Sequence, residues 1–108
     1  MATHKIKQGD NARLVEDYLT LDGAPLDLTG GTVLFLMKNV NGGTAINKNA
    51  TVVAPATGGH VSVLLSSTDT ANWGQYYVEW QVTFGDGSIL TCPDDGYANL
   101  EIVRDLQS

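Results

Sequence analysis

Residues 75–84 alternate without a break: Tyr76, Val78, Trp80, Val82 and Phe84 fall on one side, and Tyr77, Glu79, Gln81 and Thr83 on the other. A period of two is that of a half-buried strand, so this segment is expected to carry the core of the molecule. Residues 32–38 read differently, with Val33, Phe35 and Met37 on one face and Leu34 and Leu36 on the other. A strand of an antiparallel sandwich normally turns a polar face outward, so something is expected to cover the two leucines.

Shorter extended pieces flank these two. They are expected near residues 5–8, 13–21, 45–54, 60–65 and 97–103. Val61 and Val63 are core candidates, with Leu64 packing oppositely, and Ala98, Leu100 and Ile102 share one face of the last strand. Asp22-Gly23 and Asp86-Gly87 signal tight bends, Pro25 marks an edge or a strand start, and Asn41-Gly42-Gly43 and Gly58-Gly59 break the chain. No apolar period of 3.6 persists. The one helical candidate is a turn over residues 66–73, with Ser or Thr as N-cap, Asp69 in the first turn and Gly74 as C-cap.

Seven to nine short strands with one helical turn predict an all-β, immunoglobulin-like antiparallel sandwich. At 108 residues the chain fits one domain, 1–108, with flexible ends about 1–4 and 104–108.

Composition narrows the function. Twelve acidic against six basic side chains give a net charge of -6, which opposes phosphate-driven binding of nucleic acid. The longest apolar run, residues 33–37, is far short of the ~20 needed to span a bilayer, so no membrane partner is expected. The first residues lead straight into polar, strand-like sequence without an apolar signal region, which points to synthesis in the cytoplasm. Cys92 is the only cysteine and has no partner for an internal disulfide.

Candidate chemistry is sparse. Cys92, His4 and His60 carry no nucleophile-and-base signature, so no catalytic residue is assigned and the chain is read as a non-enzyme. Two histidines without a third spaced ligand are a weak metal signal, and neither metal nor cofactor is expected. Cys92 reads as a small thiol at a strand end, His60 as a hairpin-edge residue and His4 as part of a mobile terminus. Asp10, Asp22, Asp86 and Asp94-Asp95 lack the spacing of a calcium loop and read as turn formers. Trp73, Tyr77 and Tyr97 are the aromatics from which a sugar-stacking platform could be built, which makes a carbohydrate- or receptor-binding module the alternative function.

The order of short motifs carries more. Lys5-Ile6-Lys7-Gln8-Gly9-Asp10, then Leu26-Asp27-Leu28-Thr29-Gly30 leading into residues 32–38, then Thr68-Asp69-Thr70-Ala71 before residues 74–84, the Asp86-Gly87 hairpin, and the closing Pro93-Asp94-Asp95-Gly96-Tyr97 with Leu100-Glu101-Ile102 follow one another. In that order they resemble the N-terminal domain family of bacteriophage baseplate upper proteins, over nearly the whole chain. The resemblance implies an immunoglobulin-like virion component, made in the host cytoplasm, that forms homo-oligomers and docks other phage virion proteins. Members of that family often continue into a long C-terminal extension, whereas this sequence stops at Ser108; a small tail, neck or head-decoration protein is therefore expected beside a baseplate role. Leu34, Leu36 and Tyr77 are the expected interface, because two outward leucines beside an exposed aromatic form a surface that soluble monomers usually cover.

Overall fold

The structure is a computed structural model that describes residues 3–43, 45–92 and 98–104. Its elements, in chain order, are β1 (Thr3–Lys7), β2 (Leu14–Tyr18), β3 (Thr20–Leu21), β4 (Ala24–Pro25), β5 (Thr32–Asn39), β6 (Ile46–Val52), a 3-10 turn (Ala56–Gly58), β7 (His60–Leu64), β8 (Gly74–Thr83), β9 (Ile89–Cys92) and β10 (Ala98–Val103). The small β3–β4 hairpin brings the strand segments among the described residues to ten, one above the expected range.

The chain is all-β. The main sheet runs β1-β10-β8-β5-β6-β7-β2, with β9 added to β8 beyond the end of β10. Every pairing in it is antiparallel except β1 with β10, which is parallel. One strand belongs to both layers. Val33 to Met37 of β5 pair with Ala50 to Ile46 of β6, while Thr51 and Val52 of β6 pair with Ser62 and Val61 of β7. The sheet thus folds over through β6 into a sandwich close to a barrel.

The β8 alternation holds. Tyr76, Val78, Trp80 and Val82 are buried against Phe35, Met37, Val61, Leu65, Leu100 and Ile102, and Phe84 packs partly buried beside them. Trp80 meets the edge of Phe35 with ring centroids 4.9 Å apart. At about 25 cal/mol per Å² these apolar contacts are the main source of stability.

Asp22 and Gly23 both take positive φ, 53° and 83°, where Thr20 pairs with Pro25 and Leu21 with Ala24. Two left-handed residues in a two-residue loop make a turn whose twist matches the strands it joins, which is why Asp-Gly occupies it.

Two expectations change. The expected helical turn over residues 66–73 is present as one hydrogen-bonded turn from Ser66 to Thr70, while Gly74, expected to cap it, opens β8. Ser66 N–H donates to Asp69 Oδ2 at 2.8 Å, Asp69 N–H donates back to Ser66 Oγ at 3.2 Å, and Thr70 N–H reaches Ser66 O at 3.2 Å. The reciprocal cap is present, but β8 begins at Gly74 and leaves no length for propagation. The helical element lies at Ala56–Gly58, where Gly58 N–H donates to Pro55 O and Leu28 N–H to Ala56 O.

The second concerns the N-terminal end. His4 was expected to be mobile, yet it lies within β1, in register with Leu100 of β10, and is partly buried. Ninety-odd residues separate the paired strands, so nothing local in the sequence announces the pairing. Arg104 follows β10 without regular structure; Asp94, Asp95, Tyr97 and the remainder of the polar tail lie outside the described residues.

Candidate functional site: the outer face of β5 and β8

The β5–β8 register decides what stands outside. Leu34 is opposite Gln81, Leu36 opposite Glu79, and Lys38 opposite Tyr77. On its other flank β5 sets Leu34 against Asn49 and Leu36 against Asn47 of β6. The inward set of the same two strands, from Val33 to Met37 and from Val78 to Val82, already fills the core. Leu34 and Leu36 therefore lean outward and are half-buried by their own neighbours, and Tyr77 is 41% exposed.

The three residues chosen from the sequence fall on one face. They are framed more tightly than a broad apolar patch: asparagines flank the leucines on one side, Gln81 and Glu79 on the other. At one end of this strip a shallow groove of about 210 Å³ opens, lined by Leu36, Met37, Lys38, Ala45, Tyr77 and Glu79. Lys38 and Glu79 were missed, because their place beside the leucines depends on the pairing register and neither strand shows it alone.

The other candidates are dispersed. Cys92 is buried opposite Trp80 at the end of β9. His60 opens β7 and lies under the Tyr18 ring, centroids 4.3 Å apart, with its Nε2 3.1 Å from Glu16 Oε1. His4 faces inward where β1 approaches β2. Among the described residues no group of three or more His, Cys, Asp or Glu side chains gathers to hold a metal. Trp73 is 56% exposed, and the Arg104 guanidinium stands 5.9 Å from its ring centroid. Tyr97 lies outside the described residues.

The loop carboxylates make turns. Asp86 Oδ1 accepts from Ser88 Oγ at 2.6 Å and from Ser88 N–H at 2.9 Å, and Asp27 does the same with Thr29. In both, the bond from the neighbouring hydroxyl, followed by that from the backbone N–H, holds the carboxyl below its ordinary value. Leu14 and Leu64, paired across β2 and β7, form a second apolar surface feature, each 50% exposed.

Neither a family model nor a curated protein matches the chain. Among solved structures it is similar to CopC from Methylosinus trichosporium OB3b, with a TM-score of 0.54 over 96% of this chain and 86% of that one. The two sequences are 13% identical, so the likeness describes the β-sandwich fold alone. Among the described residues no helix is long and apolar enough to cross a membrane.

Proposed function

We propose that this chain is a structural protein of a bacteriophage particle, a baseplate, tail, neck or head-decoration component that works by oligomeric assembly and by docking other particle proteins. One observation carries the assembly role: Leu34 and Leu36 reach outward beside Tyr77 from strands whose inner face already fills the core. Such a surface gains free energy when a partner covers it. The particle as its setting rests on the ordered motifs that resemble baseplate upper proteins.

An immunoglobulin-like assignment of the sandwich rests on strand order. The layer β5-β8-β10 corresponds to strands C, F and G of that fold and β2-β7-β6 to B, E and D, with β1 as the first strand crossing to lie beside the last.

The test is mass spectrometry and labelling of purified particles. The expected result is this chain at a copy number fixed by particle symmetry; its absence from particles overturns the reading. Trp73 supports the second reading, a carbohydrate- or receptor-binding module, since an exposed indole beside a guanidinium suits stacking on a sugar ring. That module would lose glycan binding on Trp73→Ala while keeping its fold.

A further inference from the structure

Lys38 and Glu79 sit at opposite corners of a four-residue block. Leu36 stands opposite Glu79 and, two residues along β5, Lys38 stands opposite Tyr77. The charges therefore lie on one diagonal of the block and the apolar side chains on the other. Lys48 bonds Asp69 and Lys5 approaches Glu101, but among the described residues neither the Lys38 ammonium nor the Glu79 carboxylate has an ion-pair or hydrogen-bond partner. An unpaired cation and an unpaired anion thus flank the groove that Leu36 and Tyr77 line.

We infer that this face is the two-fold contact between two copies of the chain, with Lys38 of each copy set over Glu79 of the other. The inference rests on the assembly reading above and deepens it by naming the partner and the symmetry.

The argument is geometric. A two-fold axis lying in the plane of the face along the Leu36–Tyr77 diagonal carries each of those residues onto its own counterpart and exchanges the two corners of the charged diagonal. Leu36 then meets Leu36, Tyr77 meets Tyr77, and two Lys38–Glu79 pairs form at once. An isologous contact must be self-complementary in this way, since residue i meets j wherever j meets i. Axes along or across the strands fail the same condition: they set Leu36 over Glu79 or over Lys38, burying a charge against an aliphatic side chain. The Leu36–Tyr77 diagonal also crosses the strands of the two copies steeply, toward the orthogonal class of sheet packing. The same axis carries Leu34, next along β5, over Asn47 of the other copy, at the polar edge of the apolar centre.

A second copy must overcome the long-range repulsion of two chains of charge -6, which salt screens. The contact charges are opposite in sign, so they set register and orientation while the apolar diagonal supplies burial.

Sedimentation equilibrium of the wild-type chain over a wide concentration range, with charge exchange, tests this. The wild type is expected to show a reversible monomer–dimer equilibrium. Lys38→Glu alone and Glu79→Lys alone each place like charges together twice and weaken association about tenfold or more. An equimolar mixture of those two variants restores it as a heterodimer, and so does the double exchange within one chain. Circular dichroism melts establish that each variant is folded. Should either misfold, amide shifts of the wild-type chain on dilution decide instead, and they must change at Leu34, Leu36, Lys38, Tyr77 and Glu79. A wild type that stays monomeric, single exchanges that leave the constant unchanged, a mixture of folded variants that fails to associate, or dilution shifts confined to another face each overturns the inference. A monomeric chain present in particles would overturn the dimer and leave the particle role standing; a dimer absent from particles would do the reverse.

Discussion

Asp17 Oδ2 on β2 lies 3.9 Å from His4 Nε2 on β1, and its other oxygen, Oδ1, accepts the Tyr18 N–H at 2.9 Å. These two strands end the sheet order at opposite sides, so one carboxylate stands at the seam where the curled sheet nearly meets itself. It also occupies an open edge. Leu19 N–H donates toward β7, to Gly59 O, so the preceding Tyr18 N–H points the other way, and Asp17 caps it.

Asp17→Ala is expected to cost about 1–2 kcal/mol, through the uncapped amide and the loss of a polar neighbour at buried His4 Nε2. Urea unfolding measures the loss, and hydrogen exchange at Tyr18 should quicken. An unchanged midpoint with unchanged exchange contradicts this account of the seam.

Trp80 is fully buried, yet among the described residues its Nε1 has no hydrogen-bond partner. Trp80→Ala leaves a large cavity against Phe35 and should lose about 3–5 kcal/mol. Trp80→Phe keeps most of the packing and removes the unsatisfied N–H, so its loss should stay below about 2 kcal/mol. Equal losses in the two variants would show that the indole N–H does find a partner.

Gly59 holds φ at 70°, and a Cβ placed on it would run into Leu19 O, a backbone atom that is itself held by the Leu26 N–H at 2.9 Å. Strain and clash act together, so Gly59→Ala should cost more than about 2 kcal/mol. At Gly87 φ is 90° but nothing lies within 4 Å, and Gly87→Ala should cost about 1 kcal/mol. Thermal melts of the pair separate steric clash from conformational strain.

Acid should weaken the junction between β6 and the turn after β7. Partial burial is the largest single influence on Asp69 and raises its pKa, but the bonds from Lys48 Nζ at 2.7 Å and from Ser66 together outweigh it, leaving the carboxyl below 3.8. A carboxyl lowered on folding stabilises the folded state fully above the unfolded value, and that contribution is lost as the pH falls through the folded value. Melting temperature should therefore drop below about pH 4, and the drop should be shallower in Lys48→Ala. An identical acid limb in the two proteins would remove Lys48 from the explanation.

What the sequence disclosed and what it hid follow one physical division. The β8 alternation and the Asp22-Gly23 bend are local, set by side-chain period and backbone sterics, and they read directly. So did the outward direction of Leu34, Leu36 and Tyr77, since each lies one position from a buried residue. The parallel β1–β10 pairing, the Asp17–His4 approach and the Lys38–Glu79 diagonal depend on which strands become neighbours and in what register. Ser66 and Asp69 carried a true capping signal; only the point at which β8 begins decided that one turn, and not a helix, follows from it.

Because β6 is hydrogen-bonded to β5 along most of its length and to β7 at its end, a tensile load applied to one layer passes to the other through continuous main chain. Sliding the layers past one another requires peeling Thr51 and Val52 from their ladder, not merely displacing side chains. Main chain shared in this way makes the two layers answer shear as a single block.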